Sequence, residues 1–153
     1  MDNNSIQQFI KSALHEDIGA GDYTSLSTIP ENAKGKAKLL VKDNGLIAGI
    51  SLALDIFKAV DVGLKVDVLI EDGAPVKYGD IAFYVEGSAR SILAAERLVL
   101  NTMQRMSGIA TTTHQIVEKL SSTTTKVLDT RKTTPNIRFL EKWAVKIGGC
   151  INH

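Results

Sequence analysis

A mixed α+β region followed by one strand, loop and helix of a β/α barrel is the architecture this sequence predicts, and three features predict it. Apolar residues switch between helical and alternating spacing along the first two thirds. Turn signals containing glycine punctuate those switches. The last third then runs strand, basic loop, amphipathic helix, which is the order of one barrel unit.

Length and charge narrow the possibilities. A chain of 153 residues with 44% hydrophobic and 23% charged residues is of ordinary globular composition and has room for one full domain plus a remnant. Eighteen basic residues against seventeen acidic ones leave a net charge of +1, so no global field favours nucleic acid or an anionic membrane, and any anion site is local. No apolar run approaches the roughly 20 residues a membrane span needs. The single Cys150 cannot close an internal disulfide, and the chain opens without a signal-peptide pattern, so a reducing cytoplasm is expected.

Ile6, Phe9, Ile10, Ala13 and Leu14 form a helical stripe, with Ser5 and Gln8 spaced as a capping box. Gly19 and Gly21 end that helix near Asp17, and a loop is expected up to Pro30. Residues 36–43 alternate, with Ala37, Leu39 and Val41 on one face and lysines on the other, which predicts a half-exposed strand before an Asn44-Gly45 turn. Helical spacing returns over 50–60, and alternation over 64–70. Asp72-Gly73 and Tyr78-Gly79-Asp80 then punctuate a hairpin-like stretch that ends in a strand over 81–85. That turn-rich stretch looks like biotinyl and lipoyl carrier domains in architecture but lacks their modifiable lysine.

From Ser88 to about Leu120 two helices are expected, joined at Ser107-Gly108. Residues 126–129 read as a short buried strand, 131–135 as a polar loop at its C-terminal end, and 137–147 as a helix with Phe139, Leu140, Trp143, Ala144 and Ile147 inward.

Charge concentrates in this last segment, where Arg131, Lys132, Arg138, Lys142 and Lys146 face only Glu141. Barrels and open α/β sheets bind ligands at the loops after their strands, so Asp129-Thr130-Arg131-Lys132-Thr133-Thr134 stands where a substrate would. A guanidinium fork makes two parallel charge-assisted hydrogen bonds to a carboxylate, and the neighbouring ammonium adds a mobile point charge. The pair therefore suits a dianion. Taken alone, an Arg-Lys pair is more often a solvated basic loop.

The flanking sequence adds a resemblance. DTRKTTPNIRFLEKWAVKIGGCINH (129–153), ERLVLNTMQRMSGIATTT (96–113) and LHEDIGAGDYTS (14–25) together resemble quinolinate phosphoribosyltransferases over nearly the whole chain. The resemblance implies an α/β-hammerhead-like N-terminal domain over 1–107 and the start of a truncated phosphoribosyltransferase β/α barrel over 108–153. It also implies condensation of quinolinate with phosphoribosyl pyrophosphate, releasing pyrophosphate and carbon dioxide to give nicotinate mononucleotide, with Mg2+ accompanying the pyrophosphate.

Among residues, it implies a substrate pocket containing Thr130, Arg131, Lys132, Thr133 and His153, with Lys132 as the catalytic candidate. Arg105 matches an arginine contributed by a neighbouring subunit of a homodimer or higher homo-oligomer. Asn136 and Cys150 stand where the family has glycine, and asparagine tolerates the positive φ that such a turn uses. Because family members continue beyond His153 with further barrel strands, this length of chain is expected to be inactive alone. Two other readings stay open, a non-catalytic dimerisation or binding module and a related phosphoribosyltransferase with another acceptor.

The remaining candidates are bland. His15-Glu16-Asp17 reads as an acidic helix end, since adjacent helical residues diverge. Glu96-Arg97 reads as pairing within a helix, His114 as an exposed or interface residue, and Cys150 as an unactivated thiol.

Overall fold

The computed structural model describes residues 3–153, and the chain divides into two compact units, each discontinuous in sequence. The first gathers 1–39, 51–69 and 81–101; the second gathers 40–50, 70–80 and 102–153.

In the first unit the apolar stripe forms α1 (Asn3–Ile18), which buries Ile6 and Ile10. Ser5 lies inside this helix rather than at its cap, so the capping-box reading does not hold. The loop expected up to Pro30 contains a short helix, α2 (Tyr23–Thr28). Asp22 caps it, accepting from the Ser25 N–H (3.2 Å) and hydroxyl (2.5 Å), and Arg90 Nε donates to the Ile29 carbonyl beyond its end (2.8 Å). These bonds, led by the Ser25 hydroxyl, hold the Asp22 carboxyl below its ordinary range.

A three-stranded sheet follows, with order β1 (Lys34–Leu40), β5 (Ile81–Ser88), β3 (Lys65–Val68). β3 and β5 are antiparallel, with Val66 opposite Val85 and Val68 opposite Phe83. β1 starts and ends earlier than the alternation suggested, and Ala37 is exposed while Leu39 is half-buried. The helix expected over 50–60 is α3 (Ile50–Val60), whose Phe57 meets Phe83 edge to face at 5.8 Å between ring centres. Arg97 pairs with Asp17 of α1, and no ion pair joins it to its neighbour Glu96 among the described residues.

One helix, α4 (Ala89–Lys119), replaces the two that were expected, giving residues 89–101 to the first unit and 102–119 to the second. A helix-interior glycine costs about 1 kcal/mol against alanine, but the buried stripe of Met103, Met106 and Ala110 runs straight past Gly108. Packing therefore overrides the local signal.

Within the second unit, β2 (Gly45–Leu46) pairs antiparallel with β4 (Pro75–Val76). This small ribbon is tied to α4 by hydroxyls: Thr111 Oγ1 accepts from the Leu46 N–H (2.9 Å) and Ser107 Oγ from the Ala48 N–H (2.9 Å). The approach is close enough to demand glycine, because a Cβ on Gly45 would sit 2.4 Å from Thr111 Oγ1. Asp72 Oδ1 accepts from the Gly49 (2.6 Å) and Ile50 (2.8 Å) N–H groups at the start of α3, where a carboxylate also meets the positive end of the helix.

α5 (Arg138–Ile147) has the expected extent, burying Leu140 and Ala144 and leaving Phe139, Trp143 and Ile147 half-buried. The strand expected at 126–129 is neither buried nor a strand. It is a single parallel bridge between Leu128 and Ile151, and Leu128 remains 56% exposed, because no second neighbour flanks the bridge among the described residues.

Candidate functional site

The basic segment lies wholly in the second unit, where the 129–137 loop runs between the Leu128 bridge and α5. Its middle folds around one carbonyl. The Arg131 oxygen accepts from the Thr133 N–H (3.0 Å) and from Arg138 Nη2 (3.4 Å), while Arg138 Nε donates to Thr133 Oγ1 (2.9 Å). Thr130 Oγ1 accepts from the Lys132 N–H (3.0 Å). The loop closes at Asn136 with φ 69°, the left-handed turn for which glycine or asparagine is suited.

Arg131 and Lys132 are exposed at the crest, and their side chains have no hydrogen-bond or ion-pair partner among the described residues. Two cations without counter-charge on adjacent residues are a local anion attractor.

Both ends of the loop are anchored by carboxylates. Asp129, only 8% exposed in its side chain, accepts at Oδ1 from Lys142 Nζ (2.5 Å) and from the His153 N–H (2.6 Å). With the Asn152 amide turned so that its oxygen and nitrogen each find a complementary partner, its nitrogen donates to Asp129 Oδ2 (3.1 Å) and to the Lys142 carbonyl (3.0 Å). Burial pushes the Asp129 carboxyl up, but the Lys142 and His153 donors outweigh it and hold the group below its ordinary range.

At the far end Glu141, 10% exposed, accepts at Oε1 from Arg105 Nε (2.8 Å) and Nη2, and at Oε2 from the Thr134 N–H (3.1 Å). Burial again raises this carboxyl, and Arg105 with Thr134 overcomes it, leaving the net shift downward. Beside the loop lies an open hollow of about 430 Å3 lined by Thr134, Pro135, Asn136, Arg138, Phe139 and Lys142.

The sequence-predicted residues are thus distributed unevenly. Thr130, Arg131, Lys132 and Thr133 share one loop, and the backbone of His153 is held against Asp129 at its base. Arg105 sits on α4 with its guanidinium committed to Glu141 and Thr134 of its own chain. None of these six lines the open hollow. No group of three or more His, Cys, Asp or Glu side chains able to hold a metal exists among the described residues, His15-Glu16-Asp17 included.

Comparison with known proteins decides the family. Residues 22–107 match the Quinolinate phosphoribosyl transferase N-terminal domain, and residues 109–153 match the Quinolinate phosphoribosyl transferase C-terminal domain. The chain belongs to the quinolinate phosphoribosyltransferase family.

Relatives include the "Nicotinate-nucleotide pyrophosphorylase [carboxylating], chloroplastic" of Oryza sativa subsp. japonica, 48% identical over 149 residues, covering 97% of this chain and 40% of that protein. A "Probable nicotinate-nucleotide pyrophosphorylase [carboxylating]" of Synechocystis sp. is 38% identical, covering 97% and 50%. Among solved structures, NadC from Streptococcus pyogenes superposes with a TM-score of 0.95 at 37% identity, over 100% of this chain and 54% of that one. This chain therefore spans about half or less of the length of these proteins. Its fold is theirs, an α+β N-terminal domain followed by the opening of the barrel.

Sequence reasoning missed the two carboxylates that shape the loop. Glu141 entered only as the lone acid among five cations and Asp129 only as the loop's first residue. The signal was present: an isolated Glu on the face of α5 that carries Leu140 and Ala144 must be paired to be buried. Cys150 is accommodated: it is 7% exposed and its thiol donates to the Val127 carbonyl at 2.7 Å. His114 is partly exposed and faces Glu118 one turn on at 3.4 Å.

Proposed function

We propose that this chain supplies the acid-gripping loop of an enzyme that joins quinolinate to phosphoribosyl pyrophosphate in pyridine nucleotide synthesis. The observation that carries the reading is the pair of cations, Arg131 and Lys132, that have no side-chain partner among the described residues, on a loop whose two ends are fixed by buried carboxylates. Arg131 grips one carboxylate through its fork, and Lys132 lies against the second and against charge developing at the reacting ring. Thr130, Thr133 and His153 complete the rim. Arg105, whose guanidinium holds Glu141 and Thr134 within this chain, joins the substrate-binding set as the arginine that one subunit contributes to its neighbour's pocket.

Positioning and fixed charge are what the reaction needs. The ring nitrogen forms a bond to the ribose anomeric carbon as the bond to pyrophosphate breaks, the electron pair leaving with the pyrophosphate. The carboxylate next to the cationic nitrogen then departs as carbon dioxide, leaving its bonding pair on that ring carbon, where the adjacent positive nitrogen stabilises it until a proton takes it up. Preorganised cations stabilise the charges without reorganising. Asp129 and Glu141 are already engaged by Lys142 and Arg105, so Mg2+ would arrive on the pyrophosphate oxygens of the donor rather than on these side chains. A homodimer or higher homo-oligomer would complete the pocket.

No helix is long and apolar enough to cross a membrane among the described residues. The buried thiol of Cys150 suits a reducing compartment, read here as the cytoplasm, while plant relatives carry chloroplastic or mitochondrial in their names.

The test is release of carbon dioxide from carboxyl-labelled quinolinate, with phosphoribosyl pyrophosphate and Mg2+, by the protein as its cell makes it. Release should require both substrates and fall about 100-fold or more in Arg131→Ala. Release that ignores Arg131, or none at all with the intact protein, overturns the assignment.

A further inference from the structure

The substrate loop carries its cations in the middle and its structural bonds at the ends, and both end contacts come from neighbouring residues of α5. Lys142 Nζ reaches Asp129 at 2.5 Å, and Glu141 accepts from the Thr134 N–H at 3.1 Å. Adjacent residues on an α-helix project about 100° apart, so one dipeptide spans a six-residue loop passing across the helix. Each contact is more than local. Asp129 also receives the His153 N–H, which binds the 150–153 segment to the same point, and Glu141 also receives Arg105 of α4.

We propose that Glu141 and Lys142 are positioning residues, a two-ended staple that fixes the 129–134 loop so that Arg131 and Lys132 stand ready for a dicarboxylate acid. The inference rests on the function proposed above and deepens it by naming what holds the site's geometry. Stability alone gives little reason for burying the carboxylates of two adjacent ion pairs, since the half-exposed Arg105–Glu141 pair is partly screened and apolar replacement of a buried pair such as Lys142–Asp129 is often neutral or stabilising. Geometry gives a reason: a charge pair has a defined partner and direction, and a pocket loop misplaced by about 1 Å can lose as much as 100-fold in rate. The staple also explains why the loop's internal bonds involve backbone groups, threonine hydroxyls and Arg138, leaving the two crest cations unspent.

The experiment compares Glu141→Gln, Lys142→Met and Lys142→Arg in the full protein by two readouts. Hydrogen exchange of the 126–136 peptide reports loop order without substrate, and steady-state kinetics separates KM for quinolinate from kcat. Glu141→Gln and Lys142→Met should each speed exchange in that peptide and raise KM for quinolinate roughly tenfold. Lys142→Arg, which keeps a cation against Asp129, should recover most of both. The double variant Glu141→Gln/Lys142→Met should lose less than the product of the single effects, because both act on one loop.

A merely structural role would lower the unfolding temperature and leave KM of the folded enzyme unchanged; that outcome, or exchange within twofold of wild type in the singles, overturns the staple. If the loop loosens as described while wild type shows no affinity for quinolinate, the staple stands and the proposed function falls.

Discussion

Replacing Arg105 with alanine should make stability depend on pH in a way the wild type does not. Glu141 is 10% exposed in its side chain and receives two of its donors from Arg105, which is itself 46% exposed. Removing one partner of a fully buried pair costs about 3–5 kcal/mol. With the guanidinium half in water the pair is partly screened, so the cost at pH 7 should be about 2 kcal/mol. For a chain of this size that lowers the midpoint of thermal unfolding by roughly 4–8 °C.

The pH dependence follows from the direction of the Glu141 shift. In the wild type the folded carboxyl lies below its ordinary value, so its contribution is full above the unfolded pKa and is lost as pH falls through the lower folded value. Without Arg105 the carboxyl loses its largest lowering partner and moves up from its wild-type position, so the variant is penalised at pH 7 and relieved as Glu141 takes up a proton. The gap between the two proteins should narrow steadily from pH 7 towards about pH 4.

Urea unfolding followed by fluorescence of Trp143, the sole tryptophan and two residues from Glu141 on α5, reads the gap locally. The double variant Arg105→Ala/Glu141→Gln should show none of this narrowing relative to Glu141→Gln. A gap that is constant with pH, or below about 0.5 kcal/mol at pH 7, refutes the reasoning; the latter would be an ordinary surface-pair value.

Gly148 has ordinary helical backbone angles, but a Cβ there would lie 2.6 Å from the Ala110 carbonyl oxygen and 2.6 Å from Thr113 Cβ. Gly148→Ala should therefore cost about 1–3 kcal/mol by overpacking alone, read by the same Trp143 transition. Cys150 should resist thiol reagents in the native protein and react with the rate of local opening, at least roughly 100-fold slower than in urea. Native-state labelling as fast as in urea would show that the Val127 contact does not form.

Much of the fold was legible because local pattern and tertiary packing agree. The α1 stripe, the alternation at 64–70 and the α5 face each turn inward the residues their spacing selects, buried at Ile6, Ile10, Leu140 and Ala144 and half-buried elsewhere. Where they disagree, packing wins. Gly108 and Ser107 signal a break, yet the stripe at Met103, Met106 and Ala110 continues through them, and Ser107 serves to dock the Ala48 backbone. α2 was hidden because six residues are too few for periodicity, although Asp22 three positions before Ser25 is a capping signal.

The candidate site was readable as a charge concentration and, by resemblance, as a motif. Its geometry was not, because a carboxylate's partner depends on which residues the fold brings together. Arg105 and Glu141 are 36 positions apart, and Asp129 meets the His153 backbone across 24.

Calorimetric titration of quinolinate and of nicotinate, into wild type and into the Arg131→Ala/Lys132→Ala variant, tests the central claim most directly. A loop shaped for two carboxylates should bind quinolinate at least about tenfold more tightly than the monoacid, and the double variant should erase that preference. Equal affinity for the two acids in wild type, or a preference that survives loss of both cations, would contradict it.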